Sequence, residues 1–151
     1  CKRDRYTNLC AVCQAQLRIM KVRYPKPGIV YKGAIPVAEI ALNTSDKYLT
    51  ILISALLGNA YKFTQEGTIS LECDRLGDDR VFVAVADTGC GIPPEKHGYV
   101  FERFTKLDPF SQGNGLGLYL CRLIVTHLHG EIYIDSGYTG GTRIVAILPR
   151  R

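Results

Sequence analysis

Three glycines at alternate positions near the end of the chain are the first residues whose spacing could do chemistry. Gly113, Gly115 and Gly117 stand directly before a stretch with helical apolar periodicity. The first amides of a helix have no intrahelical partners, and glycine removes the side chains that would block an approaching anion. The run therefore predicts a phosphate-binding turn. Glycines before a helix also serve as flexible connectors, and the run of glycines alone does not distinguish the two roles.

An acidic residue after an apolar stretch is a second candidate. Asp87 follows residues 81–86 and precedes Gly89 and Gly91. A carboxylate at a strand end can accept a hydrogen bond from an amino group, and the glycines let a flat ligand approach the backbone. An acid that merely caps a turn has the same pattern.

Three residues near the end of an earlier helical pattern have complementary chemistry. Asn59, Lys62 and Phe63 lie within little more than one turn. An asparagine oxygen can ligate Mg²⁺, a lysine can meet a phosphate, and an aromatic ring can cover a purine. Asn59 is the most informative, because a buried amide without partners is costly. Lys62 could equally be a solvated charge that complements the helix dipole.

The elements that must position these residues follow from periodicity and turn signals. We predict helices over residues 4–22, from a cap at 43–46 to 63, and 116–128. We predict strands over residues 29–32, 38–42, 68–74, 81–86, 131–136 and 142–149, with a long loop over 88–114. The last helix is expected to bury the face formed by Leu116, Leu120, Leu123, Ile124 and Leu128. This order predicts an α+β fold, a two-layer α/β sandwich with about three helices on one face of a mixed, mostly antiparallel sheet.

Composition narrows the classes of function. A length of 151 residues with 46% apolar and 22% charged residues predicts one globular domain over residues 1–151. The net charge of +5 is spread without a basic cluster interleaved with aromatics, so we expect no nucleic-acid partner. No apolar stretch approaches a membrane span, so we expect no direct membrane contact. The single methionine, Met20, is internal, and we expect a segment of a longer protein.

The six cysteines suggest a compartment more than a site. Cys10 and Cys13 form a C-x-x-C within a helical pattern, with no second Cys or His pair at zinc spacing. Buried free thiols are therefore favoured over a metal or redox site, and they indicate a reducing cytoplasm.

Four segments resemble, in order and spacing, the boxes of sensor histidine kinases. Residues 56–64 resemble the N box, 87–93 the G1 box, 101–104 the F box and 113–118 the G2 box. The resemblance covers essentially the whole chain, including Lys26-Pro27-Gly28 and Gly140-Gly141-Thr142. It implies the Bergerat ATP-binding fold, shared with gyrase-type, chaperone-type and mismatch-repair ATPases. The implied function is to bind Mg-ATP and donate the γ-phosphoryl group to a histidine in two-component signal transduction.

The resemblance also implies roles for particular residues. Asp87 would accept the adenine amino group, with Thr142 helping through water, and Phe63 and Ile92 would bracket the base. Asn59 would hold Mg²⁺, and Lys62 would contact the phosphates. Residues 94–113 would form an ATP lid that Phe101 and Phe104 anchor. The implied ATP-binding set comprises Asn59, Lys62, Phe63, Asp87, Gly89, Gly91, Ile92, Arg103, Lys106, Gly113, Gly115, Leu116, Gly117, Leu118 and Thr142.

Two departures from the family pattern matter. None of His97, His127 and His129 lies in the setting of a phosphoacceptor, so the acceptor hairpin is expected before residue 1 and this segment should not phosphorylate itself. Ala55 stands where the family often has asparagine and where hydrolytic relatives have a catalytic glutamate. Without that carboxylate no base activates water, so a self-contained ATPase is disfavoured, and Mg²⁺ binding could be weaker.

The implied partners are the dimerisation domain of the same parent protein and a response-regulator receiver domain. The parent could be a hybrid receptor anchored in a membrane, with this domain in the cytoplasm. Two alternatives remain: a serine-protein kinase of the anti-sigma type with the same fold, and a non-catalytic nucleotide sensor or scaffold, to which Ala55 lends support.

Overall fold

The computed structural model describes residues 6–102 and 117–151. Three helices are present there: α1 (Leu9–Arg23), α2 (Asp46–Phe63) and α3 (Gly117–His127). The strands are β1 (Thr7–Asn8), β2 (Ile29–Ala34), β3 (Ala41–Leu42), β4 (Gly67–Leu76), β5 (Arg80–Asp87), β6 (Glu131–Ile134) and β7 (Thr142–Pro149). A 3₁₀ turn, Pro94–Lys96, follows β5. Predictions for Arg103, Lys106, Gly113, Gly115 and Leu116 lie outside the described residues.

The main sheet has five strands in the order β2-β4-β5-β7-β6. Strand β2 pairs parallel with β4, and the other three pairings are antiparallel. Alternate residues of the central strands are buried under the helices, as the period of a strand requires: Ile69, Leu71 and Cys73 on β4, and Val81, Val83 and Val85 on β5. The predicted fold class, a mixed and mostly antiparallel sheet covered by three helices, is confirmed.

Helix α2 lies at the centre of the helical layer and carries three of the candidate residues. The Ser45 side chain accepts a hydrogen bond from the Tyr48 amide at 3.5 Å, so a residue of the predicted cap begins the helix. Its buried stripe consists of Leu49, Leu52, Ile53, Leu56, Leu57 and Ala60. The helix ends at Phe63, and Thr64 is extended. The last two turns are thereby fixed on the core with Asn59, Lys62 and Phe63 on them.

The first helix begins later than the periodicity predicts. Residues Thr7 and Asn8 pair with Leu42 and Ala41 in a separate two-stranded sheet. The Asn8 side chain accepts from the Cys10 amide at 3.1 Å and so begins α1 at Leu9. The predicted strand over 38–42 is accordingly reduced to its last two residues.

The predicted buried face of the last helix is correct at Ile124 and at the half-buried Leu128, and wrong at two leucines. Leu120 and Leu123 are 40% and 47% exposed, whereas Leu118, Cys121, Ile124 and Val125 are the buried residues of α3. Leucines occur all round this helix, so periodicity alone could not choose the face. The Cys121 thiol packs against α2, with its sulfur 4.0 Å from the Leu52 carbonyl oxygen. A smaller side chain at the contact lets the two helices approach.

Four cysteines of the described residues, Cys10, Cys13, Cys73 and Cys121, are buried free thiols, and Cys90 is exposed. Burial, the largest cause, raises the pKa of Cys10 to about 11 and that of Cys121 to about 12. Buried thiols were therefore the correct interpretation for Cys10 and Cys13. None of the helices in the described ranges combines the length and apolarity that crossing a bilayer requires.

Candidate functional site

Asp87 is the only buried carboxylate in the described ranges and is 4% exposed. It is the last residue of β5, directly opposite Thr142 at the start of β7. Its Oδ1 accepts hydrogen bonds from the Gly89 amide at 2.9 Å and from the Thr142 amide at 3.3 Å. Burial raises the pKa of Asp87 above its ordinary value, and these two hydrogen bonds oppose the shift. The carboxyl group is held rigidly by the backbone through a single oxygen.

The end of α2 lies against the loop that follows Asp87. The Cys90 amide donates to the Phe63 carbonyl at 3.4 Å. A Cβ on Gly89 would overlap that same carbonyl, so only glycine allows the loop to approach the helix end. The glycine after the acid therefore joins two candidate motifs that are about 25 residues apart in sequence.

The three polar or aromatic candidates on α2 fall near this junction. Asn59 and Phe63 are half-buried and one turn apart, whereas Lys62 is exposed. The Lys62 Nζ lies 5.5 Å from the centroid of the Phe63 ring. The Asn59 side chain makes no hydrogen bond within the described residues. Within residues 6–102 and 117–151, no side chain or backbone group competes with a ligand for this amide.

The loop from Gly89 to the 3₁₀ turn is fixed at both ends. Gly91 has φ +77°, and a Cβ there would lie 3.4 Å from the Gly141 carbonyl oxygen. The half-buried Ile92 packs against the core, and its carbonyl accepts from His97 Nε2 at 2.8 Å. In the segment predicted as a lid, residues 94–102 form consecutive turns and Phe101 is buried in the core as expected; residues 103–113, with Phe104, lie outside the described residues.

The turn between β6 and β7 supports Asp87 from its other side. The Tyr138 hydroxyl donates to the Asp87 carbonyl at 3.1 Å. Gly141, at φ +149°, packs so closely that a Cβ would overlap this carbonyl. Sequence reasoning missed Tyr138, because its partner is 51 residues away and no local pattern signals the contact.

Of the predicted phosphate-binding turn, the described residues contain Gly117 and Leu118, the first two residues of α3. Gly117 is exposed with nothing near its Cβ position, and Leu118 is 8% exposed and packs in the core. The Leu118 side chain therefore anchors the start of the helix, and the exposed Gly117 leaves its backbone accessible.

The described residues offer few side-chain ligands for a magnesium ion. The described residues contain no group of three His, Cys, Asp or Glu side chains that could hold a metal by themselves. Ala55, one turn before Asn59 and packed against the core, supplies no oxygen. Asn59 offers one neutral oxygen, which suits Mg²⁺ when phosphates and water complete the coordination. The residues fit an ion that arrives with a phosphate ligand.

Comparison with known proteins agrees with this geometry. Residues 44–151 match the family model described as histidine kinase-, DNA gyrase B- and HSP90-like ATPase. The chain is 33% identical over 141 residues to the adaptive-response sensory kinase SasA of Gloeothece citriformis, covering 91% of this chain and 36% of that protein. It is 38% identical over 129 residues to hybrid signal transduction histidine kinase K of Dictyostelium discoideum, covering 75% of this chain and 11% of that protein.

A solved structure has the same fold. Full-length ShkA in complex with AMPPNP superposes with a TM-score of 0.82 at 24% identity, over 98% of this chain and 32% of that one. The chain thus spans about a third or less of these proteins. The family match covers both the helix that carries Asn59 and the strand end that carries Asp87. The chain belongs to the family of histidine kinase-, DNA gyrase B- and HSP90-like ATPases, as a catalytic ATP-binding domain of the histidine kinase type.

Proposed function

We propose that residues 1–151 form one domain that binds Mg-ATP beside the ends of α2 and β5 and donates the γ-phosphoryl group to a histidine of its parent protein. The observation that carries this proposal is the buried Asp87, whose Oδ1 is satisfied by two backbone amides. Its other oxygen, Oδ2, is then the acceptor for an exocyclic amino group. An adenine amino group has that chemistry.

The base lies between Phe63 and Ile92 in this proposal. Both side chains are half-buried, and each is tied to the Asp87 loop: Phe63 through its carbonyl, Ile92 through the chain. Gly89 and Gly91 keep the loop free of side chains that would occupy the space of a flat ligand. Thr142, 6% exposed beside Asp87, is the second adenine contact, through water.

Asn59 and Lys62 serve the phosphates. Asn59 holds Mg²⁺ through its amide oxygen, and Lys62 contributes positive charge at the helix end. Magnesium supplies charge neutralisation on the transferring phosphoryl group. The backbone amides of Gly117 and Leu118 at the start of α3, together with those of Gly113, Gly115 and Leu116, donate hydrogen bonds to phosphate oxygens. Arg103 and Lys106 belong to the lid over residues 94–113.

The acceptor histidine belongs to a separate dimerisation hairpin of the parent protein, and a response-regulator receiver domain takes the phosphoryl group next. His127 and His129 are exposed at the end of α3, and His97 is bonded to the Ile92 carbonyl, so none has the setting of an acceptor. With Ala55 in place of a carboxylate, nothing in the described site activates water, and ATP hydrolysis by the domain alone is slow. The domain acts in the cytoplasm.

A second function is favoured by one observation. This second function is that of a nucleotide sensor, which binds ATP and does not transfer its phosphoryl group. Ala55 supplies no magnesium ligand one turn from Asn59, and a sensor would tolerate that loss better than a kinase would. Calorimetry with Mg-ATP followed by phosphotransfer to a cognate histidine hairpin separates the two functions. Binding with transfer supports the kinase, binding without transfer supports the sensor, and absence of binding refutes both. Asp79→Asn, an exposed carboxylate in the β4–β5 turn, is the matched control for Asp87→Asn in both assays.

A further inference from the structure

Lys26 lies outside the predicted site and caps the C-terminal end of α2, the helix that carries several of the site residues. Lys26, between α1 and β2, donates from Nζ to the Thr64 carbonyl at 3.0 Å and to the Tyr61 carbonyl at 3.3 Å. The same Nζ lies 4.2 Å from the centroid of the Tyr61 ring. The side chain is half-buried, and its partners are 35 and 38 residues away in sequence.

These contacts provide hydrogen-bond donors to carbonyls at the end of α2 that have no donors within the helix. The last carbonyls of a helix have no intrahelical donors, and the helix dipole places partial negative charge there. The local bond from the Thr64 amide to the Tyr61 carbonyl is long, at 3.5 Å. A cation at this point satisfies two carbonyls and opposes the dipole. Lys26 therefore fixes where the last turn of α2 ends.

That last turn is where the two halves of the candidate site join. It contains Lys62 and Phe63, and the Phe63 carbonyl accepts from the Cys90 amide in the loop after Asp87. A shift of the turn would move the base-covering ring, the phosphate-facing lysine and the loop together. The effect of Lys26 on a ligand is therefore indirect.

Direct contact with a phosphate does not fit the geometry of Lys26. An ammonium group has three protons, and Nζ directs hydrogen bonds to two carbonyls while it lies over an aromatic face. We propose that Lys26 is a positioning residue, which holds the C-terminal turn of α2 in the conformation that binds Mg-ATP. The inference rests on the proposed function, because it concerns the affinity of the same site.

The test compares Lys26→Met with Lys26→Arg, and uses Lys32→Met, an exposed lysine on β2, as the control. Affinity for Mg-ATP is measured by calorimetry at a temperature where thermal melts show each variant fully folded. Hydrogen exchange of the peptide over residues 58–66 reports the helix end without nucleotide. We expect Lys26→Met to raise the Kd about tenfold and to speed exchange in that peptide, whereas Lys26→Arg and Lys32→Met stay within about threefold.

Three results would overturn the inference. An unchanged Kd for Lys26→Met would mean that the cap does not serve the site. Weaker binding with unchanged exchange would indicate direct ligand contact, and equal losses in the methionine and arginine variants would show that charge and hydrogen bonding are not the cause. If the unaltered protein fails to bind Mg-ATP, the proposed function fails, whereas faster exchange in Lys26→Met would still establish the cap itself.

Discussion

Substitution of Asp87 by asparagine should separate recognition from stability, because both bonds to this side chain end on Oδ1. In Asp87→Asn the amide oxygen can take the position of Oδ1 and keep the donors from Gly89 and Thr142. The amide NH₂ then occupies the position of Oδ2. A donor would face the amino group of adenine, where the carboxylate had offered an acceptor.

This geometry gives the expected loss of Mg-ATP affinity in Asp87→Asn. A hydrogen bond to a charged group contributes about 1.5–3 kcal/mol, which corresponds to about 10- to 150-fold in Kd. Because two donors now oppose each other, we expect the upper part of this range for Mg-ATP. Inosine triphosphate carries a carbonyl oxygen in place of the adenine amino group, so Asp87→Asn should shift the ratio of the two affinities toward it. Calorimetric titration of both nucleotides gives that ratio.

The same substitution, Asp87→Asn, should not lower the free energy of unfolding, although it weakens nucleotide binding. Burial raises the pKa of Asp87, so between the ordinary value of 3.8 and the raised native value the folded state binds more protons than the unfolded state. The free energy of unfolding therefore falls as pH rises through that window, and the ionised form carries a desolvation cost at neutral pH. Asp87→Asn removes this cost, so its free energy of unfolding at neutral pH should equal or exceed that of the unaltered protein and vary less with pH.

Denaturant titrations across that pH window measure the second effect, with Asp79→Asn as the matched exposed control. Unchanged Mg-ATP affinity in Asp87→Asn would refute the assignment of Asp87 to adenine. A fall in stability at neutral pH would refute the argument that burial of the ionised carboxylate is costly here.

Four further substitutions test the construction of the site. Gly89→Ala should lower stability by at least about 2 kcal/mol and weaken nucleotide binding, because its Cβ would overlap a backbone carbonyl; a melt close to that of the unaltered protein would contradict this. Gly58→Ala, on α2 with open space at the Cβ position, should instead stabilise by about 0.5–1 kcal/mol in denaturant titrations. Tyr138→Phe should cost about 1 kcal/mol by losing one hydrogen bond, with a loss of nucleotide affinity that calorimetry would detect. Thr64→Val should leave stability unchanged or raise it, because the buried Thr64 hydroxyl has no partner in the described ranges, and a clear loss would reveal an unrecognised bond.

The parts of the fold that sequence predicts well are those specified locally. The cap chemistry of residues 43–46 places the start of α2, and the alternation of Ile69, Leu71 and Cys73 identifies β4. The position of Asp87 at a strand end also follows from local pattern, since an apolar run stops there and glycines follow. Residues close in sequence determine each of these features.

The features that the sequence does not predict depend on contacts between residues that are far apart in the chain. Lys26 and Tyr138 donate hydrogen bonds to backbone carbonyls 35 to 51 residues away. Every residue has a backbone carbonyl, so the residue type of the acceptor does not indicate such a bond. The buried face of α3 was predicted only in part, for a related reason. Leucine lies on several sides of that helix, and the smaller Cys121 is among its residues that contact α2. The partner surface decides which of several apolar faces is buried.

The candidate adenine end owes its rigidity to backbone approach more than to side-chain packing. Gly89 brings its loop onto the Phe63 carbonyl, and Gly141 brings the β6–β7 turn onto the Asp87 carbonyl; at both points a Cβ would overlap the backbone. Side chains in such a site need no reordering before a ligand binds, so little conformational entropy is lost there on association. Glycine substitutions at these contacts should therefore raise the Kd of nucleotides mainly through lost preorganisation. The loss of affinity should be larger than the loss caused by removing any single hydrogen bond of the site.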